Sequence, residues 1–414
     1  MIDAPGSLTP LRYAPFRWLV AGRTVSVFGS SIAPIALGFA VLDLTGSVSD
    51  LGVIVGARAL ATLVFVLAGG VIADRIPRQL AMVTAGTLAA VTQAVVAALI
   101  ITGTGTVPLL VALAFANGMA GALAIPAAAA LLPQTVPPPV RQQANGISRL
   151  SFTSGMVGGS AAGGVLVALA GPGWGLAVNA ATFAAAAVCF SLVRPAATQD
   201  ANAPGRRVLR EMREGWTEFV SHSWLVGVVG ASVVINAVFY GALMVLGPAV
   251  ADQTIGRSAW GLVLAAWAAG MAVGAVIAMR LRVRRLLLAG VAGMVLIVPL
   301  ILSLALVPQV LTLLVAAALL AGTGFGQFGV AWETTMQENI PSDKLARVYS
   351  YDLLGSLVAM PAGQVAAGPV AESVGTRTAL LCAAGILALT VGAMVAHTGI
   401  RRVEHRPVTS PADE

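Results

Sequence analysis

The chain has 414 residues, 58% of them apolar and 10% charged, with a mean hydropathy of +0.90. That much apolar surface exceeds what a soluble core can hide, which excludes a soluble protein of any fold. A net charge of +7 would suggest nucleic acid in a soluble protein. Here the basic residues follow a topological pattern instead, so no nucleic-acid partner is expected.

About twelve apolar runs are long enough to cross a bilayer, since roughly 20 residues at 1.5 Å each span its hydrocarbon core. Helices are expected near 16–42, 50–73, 79–102, 107–132, 145–170 and 174–193. The first is too long for the apolar region of a signal peptide, so it should remain as a helix. After a polar stretch, six more are expected near 224–250, 258–280, 284–306, 309–336, 347–371 and 376–397. Cys189 and Cys382 lie within apolar runs and read as small buried hydrophobes without a disulfide framework.

Of the 24 Lys and Arg, Arg257 and Arg377 fall on one side, and Arg23, Arg58 and Arg149 lie within or at the ends of helices. The others gather in the tails and in the loops near Arg75, Arg141, Arg206, Arg282 and Lys344. By the positive-inside rule that side is cytoplasmic, with both termini on it.

The two halves repeat. GGVIADRI at 69–76 aligns with GAVIAMRL at 274–281, an offset of 205, and LPQTVP at 132–137 with MQENIP at 336–341, an offset of 204. At the latter offset Gly159, Gly164 and Gly171 fall on Gly363, Gly368 and Gly375. The expected architecture is an all-α membrane protein of twelve transmembrane helices in two pseudo-symmetric six-helix bundles. Residues 1–200 form the first bundle, 201–222 a cytoplasmic linker, 223–400 the second bundle and 401–414 a cytoplasmic tail. Within the linker Leu209, Met212, Trp216, Phe219 and Val220 follow a helical period, the mark of an amphipathic helix lying along the membrane surface.

Two motifs stand out. Gly70, Asp74, Arg75 and Arg78 between the second and third helices fit G-x-x-x-D-R-x-x-R, with Pro77 and Gln79 departing from its usual form. In the fifth helix Gly146, Gly155, Gly159, Ser160, Gly163 and Gly164 fit G-x8-G-x3-G-P-x2-G-G, with Ser in place of Pro. Gly at four-residue spacing also lets helices pack closely in any membrane protein. Together with the six-plus-six pattern and the central linker, these motifs resemble the major facilitator superfamily. Within it, DLTGS at 43–47 and REGW at 213–216 look most like the drug and siderophore exporters of bacteria.

The resemblance implies a secondary transporter that works by alternating access, functional as a monomer, with a small-molecule substrate, protons and the lipid bilayer as partners. It places the protein in the bacterial inner membrane. It suggests that Asp74 faces the start of the eleventh helix, near Arg347, as a latch on the inner gate; the second repeat carries Met279 at the equivalent place. Helices 1, 4, 7 and 10 line the cavity in the superfamily, which makes Asn117, Asn236, Tyr240, Gln327 and Trp332 cavity candidates. The Arg that many proton-driven drug antiporters carry in helix 4 is absent, Ala114 standing at that place.

A charge at the bilayer centre costs roughly 3 kcal/mol on insertion scales, so intramembrane ionisable groups are candidates for function. Glu333 and Asp352 are candidate proton sites, because a desolvated carboxyl is raised toward neutrality and can exchange protons near physiological pH. Arg58 is either a functional cation or half of an ion pair locking helices 1 and 2. Asp43 is either a charge site or an end residue of the first helix. Phe325, Phe328 and Trp332 share a helix face, and an aromatic pocket of that kind suits amphipathic organic molecules.

GFGQFG at 324–329 fits a dinucleotide-binding spacing, but no strand precedes it, so its glycines read as helix packing. His222, His397 and His405 are too scattered for a metal site, and there is no P-loop. Neither a catalytic group, a metal nor a cofactor is expected. The expected function is proton-coupled efflux of hydrophobic or amphipathic small molecules. The alternatives are uptake of a metabolite, or a non-transporting sensor or lipid scramblase.

Overall fold

The computed structural model describes residues 8–73, 77–194, 216–281 and 283–404. The first half contributes α1 (Ala14–Thr45), α2 (Val48–Ala73), α3 (Arg78–Ile101), α4 (Val107–Leu131), α5 (Arg141–Ala170) and α6 (Pro172–Ser191). The second contributes α7 (Ser223–Gln253), α8 (Arg257–Arg280), α9 (Leu286–Leu306), α10 (Leu311–Asn339), α11 (Ser342–Val374) and α12 (Thr376–Ala396). A short α13 (Thr398–Arg402) follows. All twelve long helices are apolar enough to cross a membrane, and no strand occurs among the described residues.

Large apolar side chains such as Val91, Leu169, Val188 and Leu389 are exposed on the outside of the bundle, as lipid contact requires. Cys382 is exposed there too, against the expectation of burial, because an outward-facing position can be as apolar as the core. Twelve crossings bring the two chain ends back to one face, called here the terminal face; the opposite one is the far face.

Several helices outrun their apolar segments. Hydropathy reports only the part of a helix within hydrocarbon, whereas backbone hydrogen bonding continues into polar turns. Thus α11 begins at Ser342, directly after Pro341, and α10 continues to Asn339. Proline, which has no N–H to donate, distorts two others. A π turn over Ala242–Leu246 precedes Pro248 in α7, and a 3-10 turn over Met294–Leu296 precedes Pro299 in α9.

The sequence repeat has a structural counterpart. Gly171 (φ 90°) and Gly375 (φ 85°) turn the chain between α5 and α6 and between α11 and α12, a left-handed conformation that favours glycine. A methyl group at Gly159 would collide with the Phe28 carbonyl of α1, and one at Gly363 with the Ala237 carbonyl of α7. Gly164 meets Gly261 of α8, while Gly368 meets Ser49 of α2. The halves therefore touch through two symmetry-related pairs, α5 with α8 and α11 with α2.

The core of the second half is aromatic. Phe239 and Phe325 lie 5.0 Å apart between ring centres, and Trp332 sits between Phe328 and Trp224. Residues 201–215 of the linker, with Leu209 and Met212, lie outside the described residues. Its last turn folds onto α11: Phe219 is buried, Trp216 and Phe219 both pack on Tyr351, and Lys344 Nζ donates to Glu218 Oε2 at 2.8 Å.

Candidate transport cavity

A cavity of about 790 Å³ opens between the halves, lined chiefly by the first. Val27, Met82, Ala85, Phe152 and Phe183 give it apolar walls. Among the described residues its charged groups are Arg23 from α1, Arg58 from α2, Arg149 from α5 and Glu333 from α10. Ala128, Phe190 and Glu333 lie in the last two turns of their helices, so the cavity reaches the terminal face.

Of these charged groups Arg58 lies deepest, ten residues along α2 from the far face or about 15 Å by helical rise. It also borders a smaller cavity of about 270 Å³ whose walls include Pro34, Tyr240, Met244, Met360 and Gln364 from both halves. Arg58 thus stands at the neck between the two spaces.

Beyond this neck the halves close on each other. Gly38 approaches Pro248, Gly52 approaches the Gln364 carbonyl, and Gly164 meets Gly261. At the far face Arg257, which begins α8, forms a two-pronged ion pair with Asp43 near the end of α1. One prong is Nη1 to Oδ2 at 2.8 Å and the other Nη2 to Oδ1. The same guanidinium donates from Nε to Asp252 Oδ1 at 3.1 Å and lies 5.0 Å above the Phe39 ring. Asp43 is therefore a partner across the two halves. Sequence alone could not pair it with Arg257, because 214 residues separate the two.

The other candidates fall into separate groups. Asn117 borders the large cavity but is buried, and its side-chain N–H donates to Thr92 Oγ1 at 3.0 Å, tying α4 to α3. Tyr240 borders the small cavity. Asn236 donates to the Ser356 carbonyl at 3.1 Å, and Gln327 to the Ala289 carbonyl at 3.4 Å; each fastens one helix to a neighbour. Trp332 is buried, and its indole N–H donates to Asp352 Oδ2 at 3.0 Å. The aromatic face of α10 thus packs into the second half's core, where the sequence suggested a substrate pocket. A helical period marks a buried face equally well whether protein or solute covers it.

Two expectations about acids also change. Glu333 is exposed to the cavity in this conformation, so the desolvation invoked for it is not met here. Asp352 lies ten residues into α11 and half-buried, deeper than a helix starting at 347 would place it.

Of the loop motif, Gly70 lies in α2 and Arg78 begins α3, while Asp74 and Arg75 lie outside the described residues. Gln79 donates to the carbonyls of Phe190 and Ser191 at 3.1 and 2.8 Å, closing the end of α6. Of the fifth-helix glycines, Gly155, Gly159 and Gly163 press on α1 and Gly164 on α8, whereas Gly146 has open space around it. In α10, Gly324 packs on Gly293 of α9 and Gly326 on Met271 of α8.

Two six-helix bundles around a cavity closed at one end define a multi-pass membrane transporter. The chain belongs to the Major Facilitator Superfamily, whose family model matches residues 19–360. Members of this family are transporters of small molecules and not enzymes, and this chain is one of them. It is 26% identical over 388 residues to the MFS-type transporter YfiS of Bacillus subtilis, covering 90% of each chain. It is 27% identical over 390 residues to the multidrug efflux pump Tap of Mycolicibacterium fortuitum, covering 90% of this chain and 91% of that one.

Among solved structures, a bacterial homologue of the lysosomal transporter Spinster superposes with a TM-score of 0.73 at 14% identity, covering 94% and 97% of the two chains. A D-xylose-proton symporter superposes with a TM-score of 0.67 at 16% identity, covering 92% and 97%. These structures share the fold.

Proposed function

We propose that the protein is a proton-coupled exporter of amphipathic small molecules in the bacterial inner membrane, with the terminal face cytoplasmic. The observation that carries this reading is the cavity, which reaches the terminal face and ends at a neck beyond which the halves are closed. A solute in the cytoplasm or inner leaflet could enter it directly. Rocking the two bundles would then part the α5–α8 and α11–α2 contacts, break the Asp43–Arg257 pair and close the terminal face.

The fifth-helix glycines support this reading by resemblance to exporters, as does the similarity to the efflux pump Tap. Asp74, meeting the start of α11 near Arg347, would latch the terminal face as Arg257 latches the far face. Glu333, with Asp352 second, would carry the proton. The working unit in this proposal is a monomer.

The test is a resistance and accumulation panel of antibiotics, dyes and siderophores in cells lacking and overproducing the protein, with and without a protonophore. Export predicts lower accumulation on overproduction, abolished by the protonophore. Higher accumulation on overproduction would overturn export in favour of uptake. Asp74→Asn is expected to abolish transport while the protein still inserts, and Met279→Asp to bring no gain.

A further inference from the structure

Resting on that transport reading, the charge of the cavity goes further and bears on which solutes enter it. We propose that the cavity selects organic anions, molecules with an apolar or aromatic body and a carboxylate or sulfonate group, and disfavours organic cations.

Among the described residues, three guanidinium groups from three helices border one space, and a single carboxylate, Glu333, faces them from the other half. Arg23 spends one N–H on Ser148 Oγ at 3.0 Å. The guanidinium groups of Arg58 and Arg149 make no hydrogen bond or ion pair among the described residues, and Glu333 makes no ion pair with any of the three. The fold itself therefore gives these cations little to hold, although cations within a membrane protein are costly to keep.

Arginine suits the role proposed. Its planar fork matches the two oxygens of a carboxylate or sulfonate, and its charge persists at any physiological pH. The placement is graded as well. Arg149 is exposed, eight residues into α5 from the terminal face, and Arg58 waits at the neck beside the smaller, mostly apolar space. An anion would be drawn inward by the summed field, with its apolar body against Phe152, Phe183 and Met82. A cation would meet three like charges and one opposite charge. Glu333 is then the internal rival of the substrate for the same guanidiniums.

The experiment uses the purified full-length protein in a neutral detergent and three fluorescent probes. Anilinonaphthalene sulfonate is the anion, phenylnaphthylamine has the same ring skeleton without the sulfonate, and ethidium is a cation. Saturable binding above that of empty micelles is expected to be tightest for the sulfonate. Arg58→Gln and Arg149→Gln should each weaken it by about tenfold, the loss of one charge-assisted contact. Glu333→Gln should tighten it, an effect that a merely structural role of the arginines would not produce, and phenylnaphthylamine binding should not respond to these changes.

Ethidium or phenylnaphthylamine binding as tightly as the sulfonate would overturn the proposal. So would unchanged sulfonate binding in both arginine variants, or no saturable binding of any probe. If Arg58→Gln fails to fold, the exposed Arg149→Gln carries the test. Protonophore-sensitive efflux of neutral or cationic compounds, without sulfonate binding, would overturn this inference and leave the export reading standing.

Discussion

Gly159, Gly164 and Gly171 in the first half perform the same tasks as Gly363, Gly368 and Gly375 in the second: a close approach within the half, a close approach between halves, and a turn. The polar side chains follow no such symmetry. The first half places Arg23, Arg58 and Arg149 along an open cavity, two of them without a partner among the described residues. The second half turns its aromatic rings and Asp352 into its own core and offers the cavity Glu333. Backbone packing constrains both bundles alike, because helices must approach closely wherever the halves meet. Side chains lining the space between them are free to differ, so that is where the two copies diverge.

The strongest way to break this comparison is to crowd the shared glycines. Gly159→Leu and Gly363→Leu should be about equally harmful, because each drives a side chain into the backbone of a neighbouring helix. Overpacking alone costs roughly 1–3 kcal/mol, and a clash with backbone more. The expected outcome is loss of monodisperse protein on size exclusion for both. Tolerance of one and not the other would show that the two bundles do not rely on the repeat equally.

Next in size is Trp332→Ala. It empties a buried site among Trp224, Phe328 and Asp352, and an aromatic deletion of this kind costs about 3–5 kcal/mol. A thermal melt in detergent should show a large drop. Arg58→Gln is the counterpart in the first half and should melt no lower than the wild type. It removes an intramembrane cation worth about 2.5–3.5 kcal/mol against insertion and breaks no bond within the described fold. A clear loss of stability in Arg58→Gln would mean that this arginine serves the architecture, and the contrast between halves would fail.

A smaller effect is expected from Asp43→Asn, which removes the charge that joins the halves at the far face. The pair is partly exposed, with side-chain exposures of 41% and 25%, so its contribution is about 1 kcal/mol. A membrane-impermeant thiol reagent added from the far face should label a cysteine placed at Ser49 faster in this variant. The smallest effect belongs to Lys344→Met. Its partner Glu218 is well covered but Lys344 itself is 38% exposed, so a change of about 0.5 kcal/mol or less is expected in the melt.

Much of this protein was legible in its sequence. Twelve apolar runs, the asymmetry of the basic residues and the glycine spacing pointed to twelve helices, two bundles and close packing of the fifth helix. The site was less legible. Arg58 and Glu333 stood out because charge is rare in apolar runs, and both border the cavity. Arg23 and Arg149 read only as cations within or at the ends of helices, with no role singled out, and only their convergence with Arg58 marks them as cavity groups. Trp332, Gln327 and Asn236 had the polarity or size of cavity residues. Their partners, Asp352, Ala289 and Ser356, come from other helices, which periodicity within one helix cannot reveal.

The sequence by itself determined what local chemistry determines: which segments enter a bilayer, and where glycine permits a turn or a close approach. Those properties follow from the free energy of moving each segment out of water and from the volume of each residue. Tertiary structure decided which charges meet. Asp43 found Arg257 across 214 residues, three arginines from three helices came to share one cavity, and the aromatic face of α10 was covered by protein. Electrostatic and packing energies depend on distance in space, and helix packing sets those distances after the segments are chosen.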